Sequence, residues 1–419
     1  MLKSAFNTLL SKILSAVFSL SIVILTTHML GSEGRGEISL ITADIGLVML
    51  FSQLVGGASM VYLYPRSQPF QLLFSAIVWA IISPLIILPI MQVFGMIEHG
   101  YFTHLLFLCI LFGISSCFQM VALGAEKINW YNWLTLLQTV LLFVGLIIFF
   151  FFLNEASTFS YVSSLYFAYL FPLLIGLFSA KKWIKNYTLQ GLWLTTQKAI
   201  IYGATVQFSN IIQFFNYRLS YFFLSKHLSS LGIFSISLVL AEAVWLIGNS
   251  LSLVHYSKVT NESSREDSIL QTFFFAKLSF WATLLCVIFL IIFPPSFYGW
   301  IFGEKFRDAW LPTVILCPGI LAIGFGMVFS HYFAGTGRFK LNNKAALVGL
   351  AIKIPACIYF IPKYAEVGAA FACTLSYSAS FLFFFYYFKK ETNFSLKNLA
   401  ITDTDIKEIF STFKKETIS

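Results

Sequence analysis

Charge is scarce in this sequence. Only 11% of its 419 residues are Asp, Glu, Lys or Arg, against about 25% in soluble domains. The length would accommodate several soluble domains, but no segment is polar enough to be one, and the mean hydropathy is +0.82. Cysteine is sparse and unpatterned. Cys109, Cys117, Cys286, Cys317, Cys357 and Cys373 lie in or beside apolar runs without CxxC spacing. They read as small apolar residues, not as a disulfide or zinc framework. Basic residues outnumber acidic ones, 27 to 18. The excess is not clustered with aromatics on a polar surface, so no nucleic-acid partner is expected. No Ser-His-Asp or paired-carboxylate constellation lies on a polar segment. His28 and His331 stand alone at span ends. The chain is therefore read as a non-enzyme with no metal site and no cofactor.

Long apolar runs fill the space that these absences leave. A helix crossing ~30 Å of hydrocarbon needs about 20 mostly apolar residues. Such runs recur at 5–29, 38–63, 72–96, 101–123, 130–153, 161–179, 199–224, 231–254, 270–293, 311–334, 345–361 and 366–388. Against lipid, each must close its own backbone hydrogen bonds as helix. Lys3 and Lys12 before the apolar run 13–25 resemble a signal peptide, but no small-x-small cleavage site follows, so this run reads as an uncleaved first helix.

The chain also repeats itself. Leu30, Ser32, Gly34, Ile38, Ser39, Leu40 and Ala43 recur as Leu228, Ser230, Gly232, Ile236, Ser237, Leu238 and Ala241, a constant shift of 198 residues. Asp44 recurs as Glu242, an acid for an acid. Gly124, Lys127 and Asn132 are echoed by Gly335, Arg338 and Asn343. Six spans per copy place the second copy in the membrane in the same direction as the first, which makes parallel repeats. The fold class expected is all-α polytopic: about twelve transmembrane helices in two parallel six-helix lobes around a central cavity. The lobes would be 1–180 and 199–388, joined by a cytoplasmic linker 181–198 and followed by a cytoplasmic tail 389–419. The linker, with Trp183, Ile184, Leu189, Leu192 and Trp193 among lysines, reads as interfacial and amphipathic. In the tail, Asp405-Ile406-Lys407-Glu408 can form a capping box for a short amphipathic helix; a disordered tail is the alternative. The Gly31–Glu37 phrase reads as a tight turn between spans.

With the N-terminus inside, 19 Lys and Arg fall on the cytoplasmic side and five outside (Arg35, Lys226, Lys305, Arg307 and Lys363). That bias places both termini in the cytoplasm.

Few ionisable residues lie within the runs, among them Asp44, Arg218, Glu242, Lys277 and Lys353. Each costs roughly 2.5–3.5 kcal/mol on insertion scales if it faces lipid. Arg218 shares a helical face with Gln207, Asn210, Tyr217, Tyr221 and Ser225. That polar stripe suits a water-filled cavity, and the guanidinium fork suits phosphate or carboxylate. The alternative is a salt bridge with Glu242, which lies at a similar depth on the next helix. Lys353, beside Pro355, reads as a second cavity cation suited to phosphate. Asp44 and Glu242 are candidates for ion or proton coupling, since a poorly solvated carboxyl exchanges protons near neutral pH. Charge pairing with Arg218 or Lys353 is the alternative. Lys277 reads as a snorkelling residue near the cytoplasmic end.

The phrase Leu30-Gly-Ser-Glu-Gly-Arg-Gly-Glu-Ile after the first span resembles the Wzx-type oligosaccharide flippases of bacterial envelope biogenesis. Phe302-Gly303-Glu304-Lys305-Phe306, followed by Ala309 and a new span, resembles them too. These flippases belong to the superfamily that also holds multidrug extruders and the lipid II flippase, and the two-lobe plan covers nearly the whole chain. The resemblance implies an inner-membrane protein of O-antigen or polysaccharide biosynthesis. Its cargo would be an oligosaccharide on a polyprenyl diphosphate, moved from the cytoplasmic to the outer leaflet by alternating access. Its partners would be that lipid-linked oligosaccharide, membrane lipid and other polysaccharide-assembly membrane proteins. A cation-coupled multidrug exporter of the same fold is the other function the residues allow. No family site transfers by motif, so Arg218, Lys353, Gln207, Asn210, Tyr217 and Tyr221 rest on the argument from the residues.

Overall fold

The computed structural model describes residues 2–97, 99–181, 184, 188–262, 264–392 and 399. The capping box at 405–408 and most of 182–187 in the linker lie outside these residues. The described chain is helical, with no strand. Its principal helices are α1 (Leu2–Gly56), α2 (Ala58–Leu63), α3 (Pro69–Val93), α4 (Phe102–Gly124), α5 (Ile128–Ile147), α6 (Thr158–Ala180), α7 (Leu192–Phe223), α8 (Leu228–Asn261), α9 (Arg265–Ile292), α10 (Pro295–Phe302), α11 (Trp310–Gly335) and α12 (Lys340–Thr392).

Nine stretches of the described residues are helical, long and apolar enough to cross a bilayer. Two of these are double. Leu10–Arg66 has 57 residues and is broken at Gly31; Lys340–Thr392 has 53 and is broken at Ala365. Each therefore holds two spans at about 20 residues per crossing. Helix α7, with 32 residues, is long enough but too polar to join the nine. Adding these three spans gives the twelve expected from the apolar runs.

The joints are tighter than the sequence suggests. The expected turn over residues 31–37 is a single residue, Gly31, at φ 67° and ψ −165°; residues 32–37 are already helical. A positive φ is open to glycine at little cost, so one residue suffices. The other break is at Ala365, φ 44° and ψ −119°, in the gap between the apolar runs 345–361 and 366–388, and Pro355 lies inside helical backbone ten residues earlier. Helix α7 starts within the expected linker. Its first turns are held against α3 by Thr195, which donates to Gln71 Oε1 at 2.7 Å, and by Thr196, whose hydroxyl lies 2.7 Å from that of Ser75.

Some hydroxyls within the spans bond to their own helix. Ser39 donates to the Arg35 carbonyl at 2.8 Å and Ser164 to the Ser160 carbonyl at 2.8 Å, the back-bonding that lets hydroxyls sit in apolar helices. Outside the spans, Ser264 caps α9 by accepting from the Asp267 amide at 3.3 Å.

The chain forms two compact units. Unit 1 comprises Met1–Phe214, Ser225–Gly232 and Ile301–Lys305; unit 2 comprises Phe215–Leu224, Ile233–Trp300 and Phe306–Ser419. Unit 1 packs Val55, Met60, Leu72, Ala76, Phe118 and Val121 into its core. Unit 2 has an aromatic core of Phe275, Phe325, Phe329, Tyr332, Phe333 and Phe388. Within unit 1 the two copies of the repeated phrase meet each other. A Cβ at Gly36 would fall on the Leu228 carbonyl oxygen, and a Cβ at Gly232 on the Ser32 carbonyl oxygen. The hydroxyls of Ser32 and Ser229 lie 2.7 Å apart beside them. Glycine at both positions permits backbone-to-backbone approach.

Candidate functional site

The polar stripe of α7 divides between the two units. In unit 2, α7 and α8 bring Arg218 and Glu242 together. Arg218 Nη1 lies 2.5 Å from Glu242 Oε1, and the side chains are 28% and 29% exposed. The salt bridge weighed from depth alone therefore forms, and both partners stay partly open. The guanidinium also lies over Tyr221, 5.3 Å from the ring centroid, one helical turn on. Tyr221 itself is buried and meets Phe234 edge-on at 6.0 Å.

Beside this pair stand three rings. Tyr217 packs on Trp245 at 4.6 Å between centroids, and Tyr377 closes a triangle at 6.1 Å from Tyr217 and 6.4 Å from Trp245. Trp245 is three residues after Glu242 on α8, so carboxylate and indole share one face. Tyr217 and Trp245 are half-buried, whereas Tyr377 is buried.

Behind Tyr377 lies Lys353, expected to face a cavity and found fully buried. Its ammonium donates to the Asn216 carbonyl and, at 3.2 Å, to Cys373 Sγ, and it sits 5.7 Å from the Tyr377 ring centroid. Among the described residues it forms no salt bridge. Asn216 is fixed in turn: its Nδ2 donates to the Ala346 carbonyl at 2.8 Å and its Oδ1 accepts from Ser376 at 3.1 Å. Lys353 is thus held by neutral dipoles and a ring face, its ammonium on the carbonyl of the residue before Tyr217.

In unit 1, Gln207 is buried and donates to the Gln53 carbonyl at 3.3 Å, while exposed Asn210 donates to Gln207 Oε1 at 3.1 Å. Asp44 is 4% exposed, and its Oδ1 has no hydrogen-bond partner among the described residues. It lines a pocket of about 20 Å³ with Glu37, Tyr101 and Leu228, space for one water. The repeat-related acids thus differ in setting: Glu242 is ion-paired, and Asp44 is buried with an unengaged oxygen.

Sequence reasoning missed Trp245, Tyr377 and Asn216. The spacing of Trp245 from Glu242 was a usable signal. The other two declare themselves only through contacts with residues on distant helices.

The fold that these helices build among the described residues is shared with solved structures of membrane transporters, one of them of the MOP superfamily. The chain is similar to the lipid II flippase MurJ in an inward closed conformation, with a TM-score of 0.74 at 14% identity over 95% of this chain and 89% of that one. It is also similar to an inward-facing MATE-family multidrug resistance transporter, with a TM-score of 0.67 at 14% identity over 90% and 94% of the two chains. By sequence, 164 residues are 26% identical to the capsular polysaccharide biosynthesis protein CapF of Staphylococcus aureus. That match spans 38% of this chain and 41% of CapF, well under two thirds of its length. No family model matches the sequence.

Proposed function

We propose that this protein is a flippase that moves a polyprenyl-diphosphate-linked oligosaccharide from the cytoplasmic to the outer leaflet of the bacterial inner membrane. In this reading the repeats 1–180 and 199–388 are lobes that rock about the cargo by alternating access, with both chain termini in the cytoplasm. The observation that carries the reading is the Arg218–Glu242 pair. A pair left over a quarter exposed at membrane depth is too costly to face lipid, so it faces water or a polar ligand. Arg218 would take the diphosphate as a bidentate donor. Lys353 would add positive potential from its buried position against Tyr377, and Asn210 is the exposed amide of the α7 stripe, Gln207 being buried and engaged. The similarity to CapF and to MurJ supports a lipid-linked glycan as cargo.

The deciding experiment is a deletion strain. Lipid-linked repeat units should accumulate on the inner leaflet, and mature surface polysaccharide should be lost. Normal surface polysaccharide in the deletion strain would overturn the reading.

A second reading, cation-coupled drug export, is favoured by one observation, the unengaged buried oxygen of Asp44. It requires the deletion strain to become sensitive to cationic drugs while surface polysaccharide stays normal.

A further inference from the structure

The Arg218–Glu242 pair accounts for an anion but leaves the adjoining rings unexplained. The aromatic core of unit 2 buries its rings on all sides. The triangle of Tyr217, Trp245 and Tyr377 does so only for Tyr377. Tyr217 and Trp245 stay half-exposed beside a partly exposed ion pair, so these two rings adjoin whatever water or polar ligand the charges face.

Three ligand chemistries use a half-open ring pair. An organic cation would sit over the ring faces, but the Arg218 guanidinium, next in sequence to Tyr217, repels it. A planar base would stack, but nothing else here suits nucleic acid. A pyranose ring has an apolar C–H face and a rim of hydroxyls. It needs an aromatic surface, a carboxylate to accept from hydroxyls and a donor beside them. All of these are here within two helical turns. Arg218 engages Oε1 of Glu242, and a carboxylate has acceptor sites on both oxygens. Tyr377 backs Tyr217 and Trp245, so the surface is rigid before a ligand arrives, and less ordering cost falls on binding.

We propose that unit 2 carries a sugar subsite in which Tyr217 and Trp245 receive the C–H face of a pyranose and Glu242 accepts from its hydroxyls. This rests on the flippase reading, and it deepens it. With Arg218 on the diphosphate, the sugar in this subsite is the one joined directly to phosphate. The protein then reads the first sugar of the chain and not only the lipid anchor.

The test uses the full chain in lipid nanodiscs and two kinds of probe: a polyprenyl diphosphate, and the same lipid carrying a single hexose, 6-deoxyhexose or N-acetylhexosamine. The unsubstituted protein should bind one monoglycosylated probe about 3- to 10-fold more tightly than the bare diphosphate, the worth of one aromatic contact. Trp245→Leu should bring the two affinities within about 2-fold while leaving that for the bare diphosphate unchanged, and Trp245→Phe should keep the preference. If Trp245→Leu does not reach the membrane, Tyr217→Leu is read in the same way. A preference that survives in the Leu variant, or is absent from the unsubstituted protein for all three sugars, overturns the subsite and leaves the flippase reading standing. Failure to bind any of the diphosphates overturns both. Binding of tetraphenylphosphonium that is lost in Trp245→Leu would make the rings a cation cage and overturn the subsite.

Discussion

Replacing Arg218 separates a ligand-binding role from a purely structural one. Two unit charges about 4 Å apart at an effective dielectric of 20 interact by about 4 kcal/mol. Both side chains are over a quarter exposed, and exposed pairs are worth only about 0.2–1 kcal/mol. The Arg218–Glu242 pair lies between these limits, and a coupling of roughly 1–2 kcal/mol is expected from a double-mutant cycle. Arg218→Ala does more than remove that coupling, because it leaves Glu242 uncompensated at membrane depth, at a cost of roughly 2.5–3.5 kcal/mol. Arg218→Ala should therefore unfold at lower denaturant than the double variant Arg218→Ala/Glu242→Ala, in which no lone charge remains. Stability is read by denaturant titration of the reconstituted protein, and function by rescue of surface polysaccharide in a deletion strain. The double variant should regain stability without regaining transport, because the phosphate-binding fork is still missing. Arg218→Lys should transport partially, with charge but without bidentate geometry. A double variant that restores surface polysaccharide would refute the binding role and leave Arg218 as the structural partner of Glu242.

Other consequences can be measured directly. Lys353→Met should leave protein levels unchanged or higher, since it removes a buried charge held only by neutral groups, and should slow transport by less than Arg218→Ala does; equal or greater loss in a transport assay would make Lys353 the principal anion site. Asp44→Asn should abolish dependence of transport on an imposed ion gradient in proteoliposomes while substrate binding persists, and unchanged dependence would remove Asp44 from coupling. Outside cysteine labelling should reach exposed Ser296 and Glu33 but not Lys181; Ser32, an obvious reporter from sequence, is buried against Ser229 and should label poorly. Gly36→Val should lower the melting temperature, because its side chain meets the Leu228 backbone and not a movable side chain.

Apolar run length was enough to count the helices, because lipid permits little else. It could not show how abruptly they join. A break confined to Gly31 or Ala365 needs one residue with positive φ; the Gly-rich phrase at 31–37 marks a turn without showing which one residue makes it, and Ala365 has no turn signature of its own. Arg218 and Glu242 could be paired from sequence because their depths follow from helical rise. Lys353 misled, because its surroundings are supplied across distance: Asn216 is 137 positions away and Cys373 is 20. A lysine within an apolar run reads as a cavity residue until the backbone carbonyl and thiol that receive it are known. The extra turns of α7 were hidden for the same reason, since Gln71 and Ser75 hold them from another helix.

The meeting of the two copies of the repeated phrase has a genetic consequence. At Gly36 and Gly232 the obstructing atoms are carbonyl oxygens of Leu228 and Ser32, which every residue type carries. Elsewhere a bulky replacement can be suppressed by trimming the neighbour it strikes. Here there is nothing to trim, and each copy of the duplicated phrase restrains the other. A screen for second-site revertants of a Gly232 replacement should return only true reversions at that codon or changes that shift the helix backbone, whatever freedom the rest of the repeat has had to diverge.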